Sequence, residues 1–344
     1  MGFWRVGSLF NLSCFLIVFT CLFNGLSNTA RAETDSLPFK PSGQPVLRVF
    51  SNFTAPVGKS SGKTSFEVRR AYLGYDYALQ ENWSMKIVLD IGSPNDDSPY
   101  SILKRYAYFK TASLTYKRGN WEFKGGIIDL FNVEYQEKIW DYRYVYKSFI
   151  DEYRFGPRAD IGVNASWKPS RMFSFDAMVM NGEGYEQLQN DNTYKVSFGA
   201  NLNLFENLLI RLYSDYAHKR IDEAVIASLV GYYTKNYALA FEYNTRFNEG
   251  FVRNRDRFGY SAYGRYTFRG SYGMFLRYDW LSSGITGEPG RPWNLAKDGS
   301  ALLGGIEYRP IKNVRMSVNY QDWFPSAVNV ENRRSLYLNL EFKL

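Results

Sequence analysis

The residues able to do chemistry in this chain are mostly charged side chains recurring at every second position. Lys86 and Asp90 share one face of a run whose other face is Trp83, Met85, Ile87, Leu89 and Ile91. Lys124, Arg158, Lys168, Lys195, Arg211, Arg246, Arg257, Arg265, Arg277 and Arg315 fall on the polar faces of later runs. So do Asp160, Asp176, Asp215, Glu242, Asp279, Glu307 and Glu341. Charges strung along one face of an alternating segment suit the wall of a water-filled passage, where they set the potential a solute crosses. They do not suit catalysis. The single histidine, His218, and the two cysteines, Cys14 and Cys21, cannot supply a Ser-His hydrolase or a zinc centre. The carboxylate pairs Asp96-Asp97 and Asp151-Glu152 lie in loop-like stretches without a partner pattern. No catalytic residue, metal or cofactor is expected, and one histidine makes a lipid-modifying barrel enzyme hard to build.

A second concentration of chemistry lies in 131–157, a stretch too long and too aromatic to be a simple turn. Lys138, Trp140, Arg143, Tyr144, Lys147 and Arg154 are its candidate functional residues, among the acids Glu134, Glu137, Asp141, Asp151 and Glu152. The expectation is a segment folded inward as a constriction. Lys138, Arg143 and Lys147 would then face inward basic residues such as Lys124 or Arg158 across a solute path. The alternative is an outer cap or a subunit contact.

The elements that must position these residues begin after an export signal. Arg5 precedes the apolar core Phe15 to Phe23, Asn24-Gly25 breaks it, and Ala30-Arg31-Ala32 provides a cleavage site ahead of Glu33. The core is too short to span a bilayer, which takes ~20 residues. Residues 1–32 are therefore read as a signal peptide, 33–44 as a short periplasmic extension, and 45–344 as one domain. The signal holds both cysteines and two basic residues without an acid, so the net charge of +8 becomes +8 − 2 = +6 in the mature chain.

The sequence as a whole is rich in Tyr (28) and Gly (28), 18% aromatic, and polar on average, with a mean hydropathy of −0.37. No long apolar run follows, which excludes a helical membrane protein. Period-two alternation marks strands near 45–53, 66–79, 82–92, 105–117, 120–130, 158–168, 172–181, 193–204, 206–217, 223–234, 236–245, 256–268, 271–281, 301–309, 313–322 and 333–344. The last is clearest: Leu336, Leu338, Leu340, Phe342 and Leu344 alternate with Tyr337, Asn339, Glu341 and Lys343. Three strands, 66–79, 105–117 and 223–234, break strict alternation, as a β-bulge would make them do. Short and long connections take turns. Trp83, Trp121, Trp167, Tyr237, Tyr272 and Tyr308 sit beside short ones, and Trp280 and Tyr320 beside long ones. Strands with one apolar and one polar face, two aromatic girdles and alternating loop lengths predict an all-β, transmembrane, antiparallel up-and-down barrel of about 16 strands, both termini periplasmic.

The stretch SFEVRRAYLGYDYALQENWSMKIVLDIG (Ser65 to Gly92), continued by YAYFKTASLTYK and WEFKGGIIDLF, resembles the phosphate-selective porin family (porin O and P type) in its Bacteroidetes-type members. The resemblance spans roughly residues 45–205 and implies a sixteen-stranded, usually trimeric barrel. The family's lysine- and arginine-lined selectivity elements find no residue-by-residue match, so phosphate specificity is not carried over. The chain also ends on Leu344, where an aromatic usually closes the assembly signal.

The function expected is passive diffusion of small hydrophilic solutes or ions across the outer membrane of a Gram-negative bacterium. Basic inward residues outnumber acidic ones, which predicts mild anion preference, with phosphate among the candidate solutes. The other reading is a structural or secretion-partner barrel with a closed lumen. Outer-membrane lipid, lipopolysaccharide and two further copies in a homotrimer are the expected partners. Nucleic acid is not, because the basic residues behind the pI of 9.2 form no stripe.

Overall fold

The computed structural model describes residues 39–60, 62–92, 107–288 and 290–344. The export signal and the Asp96-Asp97 pair lie outside the described residues. Sixteen strands follow in order: β1 (Ser42–Pro56), β2 (Ser65–Gln80), β3 (Trp83–Ile91), β4 (Ala107–Arg118), β5 (Trp121–Asp129), β6 (Ala159–Trp167), β7 (Phe173–Met180) and β8 (Lys195–Leu204). After these come β9 (Leu208–His218), β10 (Asp222–Tyr233), β11 (Tyr237–Phe247), β12 (Arg255–Phe268), β13 (Tyr272–Ile285), β14 (Gly299–Ile311), β15 (Val314–Pro325) and β16 (Arg333–Lys343). Each pairs antiparallel with the next, and β16 returns to β1 in a register that sets Val49 opposite Phe342 and Phe53 opposite Leu338. The barrel is closed, so no sheet edge is left unpaired. Among the described residues no helix is long and apolar enough to cross a membrane.

Side chains alternate between two environments. Phe198, Leu212, Ile226, Leu239, Leu276 and Ile306 are exposed on the outer face, while their chain neighbours point into the barrel and are largely buried. An apolar exterior on a closed barrel is stable only against lipid. Aromatics stack sideways between strands beside the short turns: Trp121 on Trp167 (5.5 Å between ring centroids) and Tyr272 on Tyr308 (5.2 Å). Trp280 stacks on Tyr260 (5.4 Å) nearer the long loops. These are two girdles, where amphipathic rings meet the membrane–water boundary.

Two of the three irregular strands contain the bulge their sequences imply. In β2, Arg70 pairs with Phe50 and Val68 with Ser51, which leaves Arg69 as the extra residue. In β4, Thr111 pairs with Val88 and Phe109 with Leu89, so Lys110 is extra, and both Lys110 and Thr111 are buried in the barrel. The third expectation fails. β10 pairs with β9 and β11 without interruption. Its sequence is ambiguous because its inner face, Glu223, Val225, Ala227, Leu229 and Gly231, is nearly all apolar. Something inside the barrel covers it.

Candidate functional site

The covering element is the connection between β5 and β6, which folds inside the barrel. It forms α1 (Phe131–Trp140) and a single turn, α2 (Phe149–Glu152). α1 buries Val133, Gln136, Ile139 and Trp140 and leaves Glu134 and Lys138, one turn apart, exposed to the lumen. It stops at Asp141, which turns left-handed (φ 59°) and whose N–H donates to the Glu137 carbonyl at 2.8 Å. Trp140 sits among Tyr142, Tyr263 and Phe275, at 5.5, 5.3 and 6.0 Å between ring centroids. Phe149, Ile150 and Phe155 form a second apolar cluster with Met178, Met180, Val225, Ala227 and Leu281 of the wall. Close approach is possible because the wall carries glycine where the segment touches it: a Cβ on Gly231 would lie 2.6 Å from Ile139, and one on Gly273 2.8 Å from the Tyr142 hydroxyl.

An inward-folded segment has backbone carbonyls that water no longer reaches, and each needs a donor. The wall supplies arginines. Arg265 donates to the carbonyl of Ile139 (3.2 Å), Arg315 to Asp141 (2.8 Å) and Arg277 to Lys147 (2.7 Å). Arg246 and Arg257 both donate to the carbonyl of Arg154, at 3.0 and 2.9 Å. Side chains add to these. The Tyr144 hydroxyl donates to Glu307 (2.7 Å), the Tyr153 hydroxyl to Asp279 (3.0 Å), Arg211 to Asn132 (3.3 Å) and Asn201 to Tyr135 (3.1 Å). Asn339 donates to the Tyr144 carbonyl at 3.3 Å. Thus β8, β9 and β11 to β16 each hold the segment. None of these contacts comes from β1 to β4.

The free side is closed by a chain of ion pairs. Lys110 meets Asp129 (2.6 Å), Arg158 reaches Asp129 through Nε (3.7 Å) and binds Glu137 with both terminal guanidinium nitrogens, and Arg143 joins Glu137 to Asp151, each at 3.0 Å. Burial pushes the Glu137 carboxyl up, but Arg158 and Arg143 outweigh it and hold that group below the ordinary carboxylate range. Asp151 is shifted the same way, burial opposing and Arg143 and Lys147 prevailing.

These contacts place the candidate residues of the sequence analysis. Trp140 and Tyr144 are core residues of the folded-in segment. Arg143 does not face Lys124 or Arg158 across a path: it lies on the same side as Arg158, both neutralised by Glu137. Lys147 is held by its carbonyl, and Lys138 projects into the lumen with its ammonium 5.2 Å from the Tyr233 ring. Arg154 is exposed. Of the wall residues, Arg211 (paired with Asp176, 2.8 Å), Arg277 (with Asp279, 2.7 Å), Arg315 (with Glu307, 2.7 Å) and Lys195 (with Asp215 at 3.3 Å and Glu223 at 3.2 Å) are buried as internal pairs. They do not line open water, because the segment lies over them. Arg265 is one of its carbonyl donors. Asp160 accepts from the N–H of Ile161, Gly182 and Gly184 and so shapes the β7–β8 loop. Asp90 is buried beside Arg70 (3.2 Å), Lys124 pairs with Glu122 (2.9 Å), and Lys86 is half-buried in the lumen. His218 pairs with Asp222 (2.5 Å) at the exposed β9–β10 turn.

Two water-accessible chambers flank the segment. The one toward the short-turn rim, about 400 Å³, is bounded by β16 to β4 and carries Arg48, Lys86, Lys110, Lys138, Lys343 and Glu134. Toward the long-loop rim lies one of about 520 Å³ with Arg154, Lys297, Arg333, Tyr153, Trp323 and Glu152. Among the described residues no carboxylate comes within 4.0 Å of the cationic groups of Lys86, Lys138, Lys343, Arg154, Lys297 or Arg333. Glu134 and Glu152 are the acids left without an ion-pair partner beside them. Arg48, Lys110, Lys343, Lys297 and Arg333 were not among the sequence candidates. Lys343 is legible from the alternation of the last strand, whereas Lys110 is turned inward by its bulge.

Solved structures with this architecture are outer-membrane barrels. The fold is that of the porins. OprB of Pseudomonas putida aligns with a TM-score of 0.67 at 9% identity, over 88% of this chain and 94% of its own. OmpT of Vibrio cholerae aligns at 0.63 and 11%, over 92% and 100%. OmpF of Salmonella typhi, solved with daunomycin, aligns at 0.63 and 13%, over 88% and 97%. No family model and no curated protein sequence matches the chain. At these identities the porin fold is what the chain shares with them, and an inward-folded segment with chambers on both sides is how this chain fills it.

Proposed function

We propose that the protein is a diffusion channel of the Gram-negative outer membrane with a mild preference for anions. The carrying observation is the charge left over once internal pairs are removed. Three unpartnered cations, Lys86, Lys138 and Lys343, line the inner chamber against one unpartnered acid, Glu134. Arg154, Lys297 and Arg333 line the outer one against Glu152. Fixed positive charge beside a narrow aqueous path raises local anion concentration and lowers the entry barrier. Phosphate falls within the favoured class, but the cations are spread over two chambers rather than converging on one point, which fits a general anion bias better than a phosphate site. Short turns, the start of β1 and the end of β16 at one rim are consistent with periplasmic termini after removal of residues 1–32. The oligomer we expect is a homotrimer; a neighbouring fold, OmpT of Vibrio cholerae, is described in trimer form. An enzymatic role finds no support in His218, which is paired with Asp222 on the rim.

One observation favours the other reading, a barrel whose lumen is closed: the segment is fastened to eight strands and fills much of the interior. Planar-bilayer recording in a potassium chloride gradient separates the two. A channel gives stepwise conductance with a reversal potential shifted toward the chloride side. Absence of conductance supports the closed barrel, and a cation-selective potential overturns the anion preference.

A further inference from the structure

The outer chamber contains more than positive charge. Trp323 of β15 and Tyr153 of the folded-in segment lie side by side, ring centroids 6.1 Å apart and planes 32° from parallel. Arg333, directly across the ladder from Trp323, holds its guanidinium 5.9 Å from the indole centroid. That is the loose end of the range for a cation–ring contact, which extends to ~6 Å. Arg333 is exposed, and it has no carboxylate partner among the described residues. Arg154 and Lys297 border the same space in the same condition. An inorganic anion would use the cations and leave the rings idle; a neutral solute would do the reverse. The volume of about 520 Å³ falls in the ~300–1,000 Å³ range of small-molecule sites. A part-exposed indole, unpaired cations and room for an organic solute occur together at the rim from which a solute would enter.

We propose that this chamber is a binding subsite for flat organic anions, of the class of monocyclic aromatic carboxylates. The ring of the solute packs against Trp323, which rests beside the buried ring of Tyr153, and its carboxylate is met by Arg333, with Arg154 and Lys297 adding field. The inference rests on the channel reading only in assuming that solutes arrive from the long-loop rim. It is tested by binding as well as by flow.

Benzoate, acetate and benzyl alcohol are titrated calorimetrically into the folded protein in detergent, and each is applied to the long-loop side of single channels to measure current block. Benzoate is expected to bind in the millimolar range and to block, with acetate and benzyl alcohol each about tenfold weaker, since either half of the recognition is missing. Arg333→Gln and Trp323→Leu should each weaken benzoate about tenfold. Arg333 is exposed, so its variant retains the fold even if loss of the Trp323 ring disturbs packing on Tyr153. Equal binding of acetate and benzoate overturns the proposal, as does benzoate binding that survives both substitutions. Glucuronate displacing benzoate at lower concentration replaces the aromatic class with sugar acids. A protein that binds benzoate yet passes no current defeats the channel reading and keeps the subsite; one that conducts without binding benzoate does the opposite.

Discussion

Arg315 fastens Asp141 twice, donating to its backbone carbonyl at 2.8 Å and to its carboxylate at 3.2 Å, while the same guanidinium pairs with Glu307 at 2.7 Å. The residue where α1 ends in a left-handed turn is thereby fixed to strands β14 and β15. Removing one partner of a buried pair costs about 3–5 kcal/mol, because the other is left charged and unpaired. Arg315→Met should lower the midpoint of heat-modifiable migration and raise single-channel conductance as α1 loosens. An unchanged midpoint would mean that the segment is held by its apolar contacts alone.

Selectivity should follow the unpaired cations rather than the buried ones. Replacing Lys86, Lys138 and Lys343 together by Glu changes the inner chamber by six charge units and should move the reversal potential toward cations. The same measurement on Lys168→Glu, an exposed position beside a short turn, should show little change. Equal shifts in both variants would place the selective element elsewhere.

The ion pairs of Glu137 and Asp151 also predict a pH dependence. Both groups have lowered pKa values in the folded state. Their contribution is therefore complete above the ordinary carboxylate range, about 4, and is lost as pH falls through the lowered values. Conductance should be steady from pH 5 to pH 8 and become noisier below about pH 4, as protonation frees Arg143 and Arg158. Glu137→Gln should bring that noise to neutral pH. A quiet variant would show that this network does not hold the segment.

At the seam, Phe342 lies on the outer face between Val49 and Val314. A carboxylate there costs less than the ~2–4 kcal/mol of a lipid-facing Lys or Arg at mid-membrane. The main effect of Phe342→Asp should thus fall on assembly, read as loss of the heat-modifiable species from outer-membrane fractions. Normal surface levels would mean that the terminal apolar face carries no assembly information.

How much of this was legible in the sequence depends on what each residue answers to. Sixteen strands could be read because lipid on one side and water or polar packing on the other impose period two on Leu336 to Leu344 as on Trp83 to Ile91. The bulges at Arg69 and Lys110 announced themselves as breaks in that period. The irregularity of β10 was misread as a third bulge because an apolar inner face, Val225 to Gly231, has no place in a purely aqueous lumen. Inward charges could be recognised, but not what they meet. Arg277 and Lys86 look alike in the alternation. One is fully buried against Asp279 and a loop carbonyl, the other half-open in a chamber, and only the path of residues 131–157 decides between them. Lys297 escaped because its role arises from loop placement, whereas Arg333, at the start of β16, continues the inward alternation of Glu341 and Lys343 and was legible with them.

Every wall arginine that holds the folded-in segment is encoded after it, from Arg158 just before β6 to Arg315 on β15. The seam that closes the barrel joins Arg48 to Glu341, 293 positions apart. The segment therefore precedes its donors in the chain and must wait for them. Its docking is coupled to arrival of the C-terminal half, so a barrel stalled before the last strands pair would carry an undocked plug of exposed Phe and Tyr rings, a ready target for periplasmic quality control.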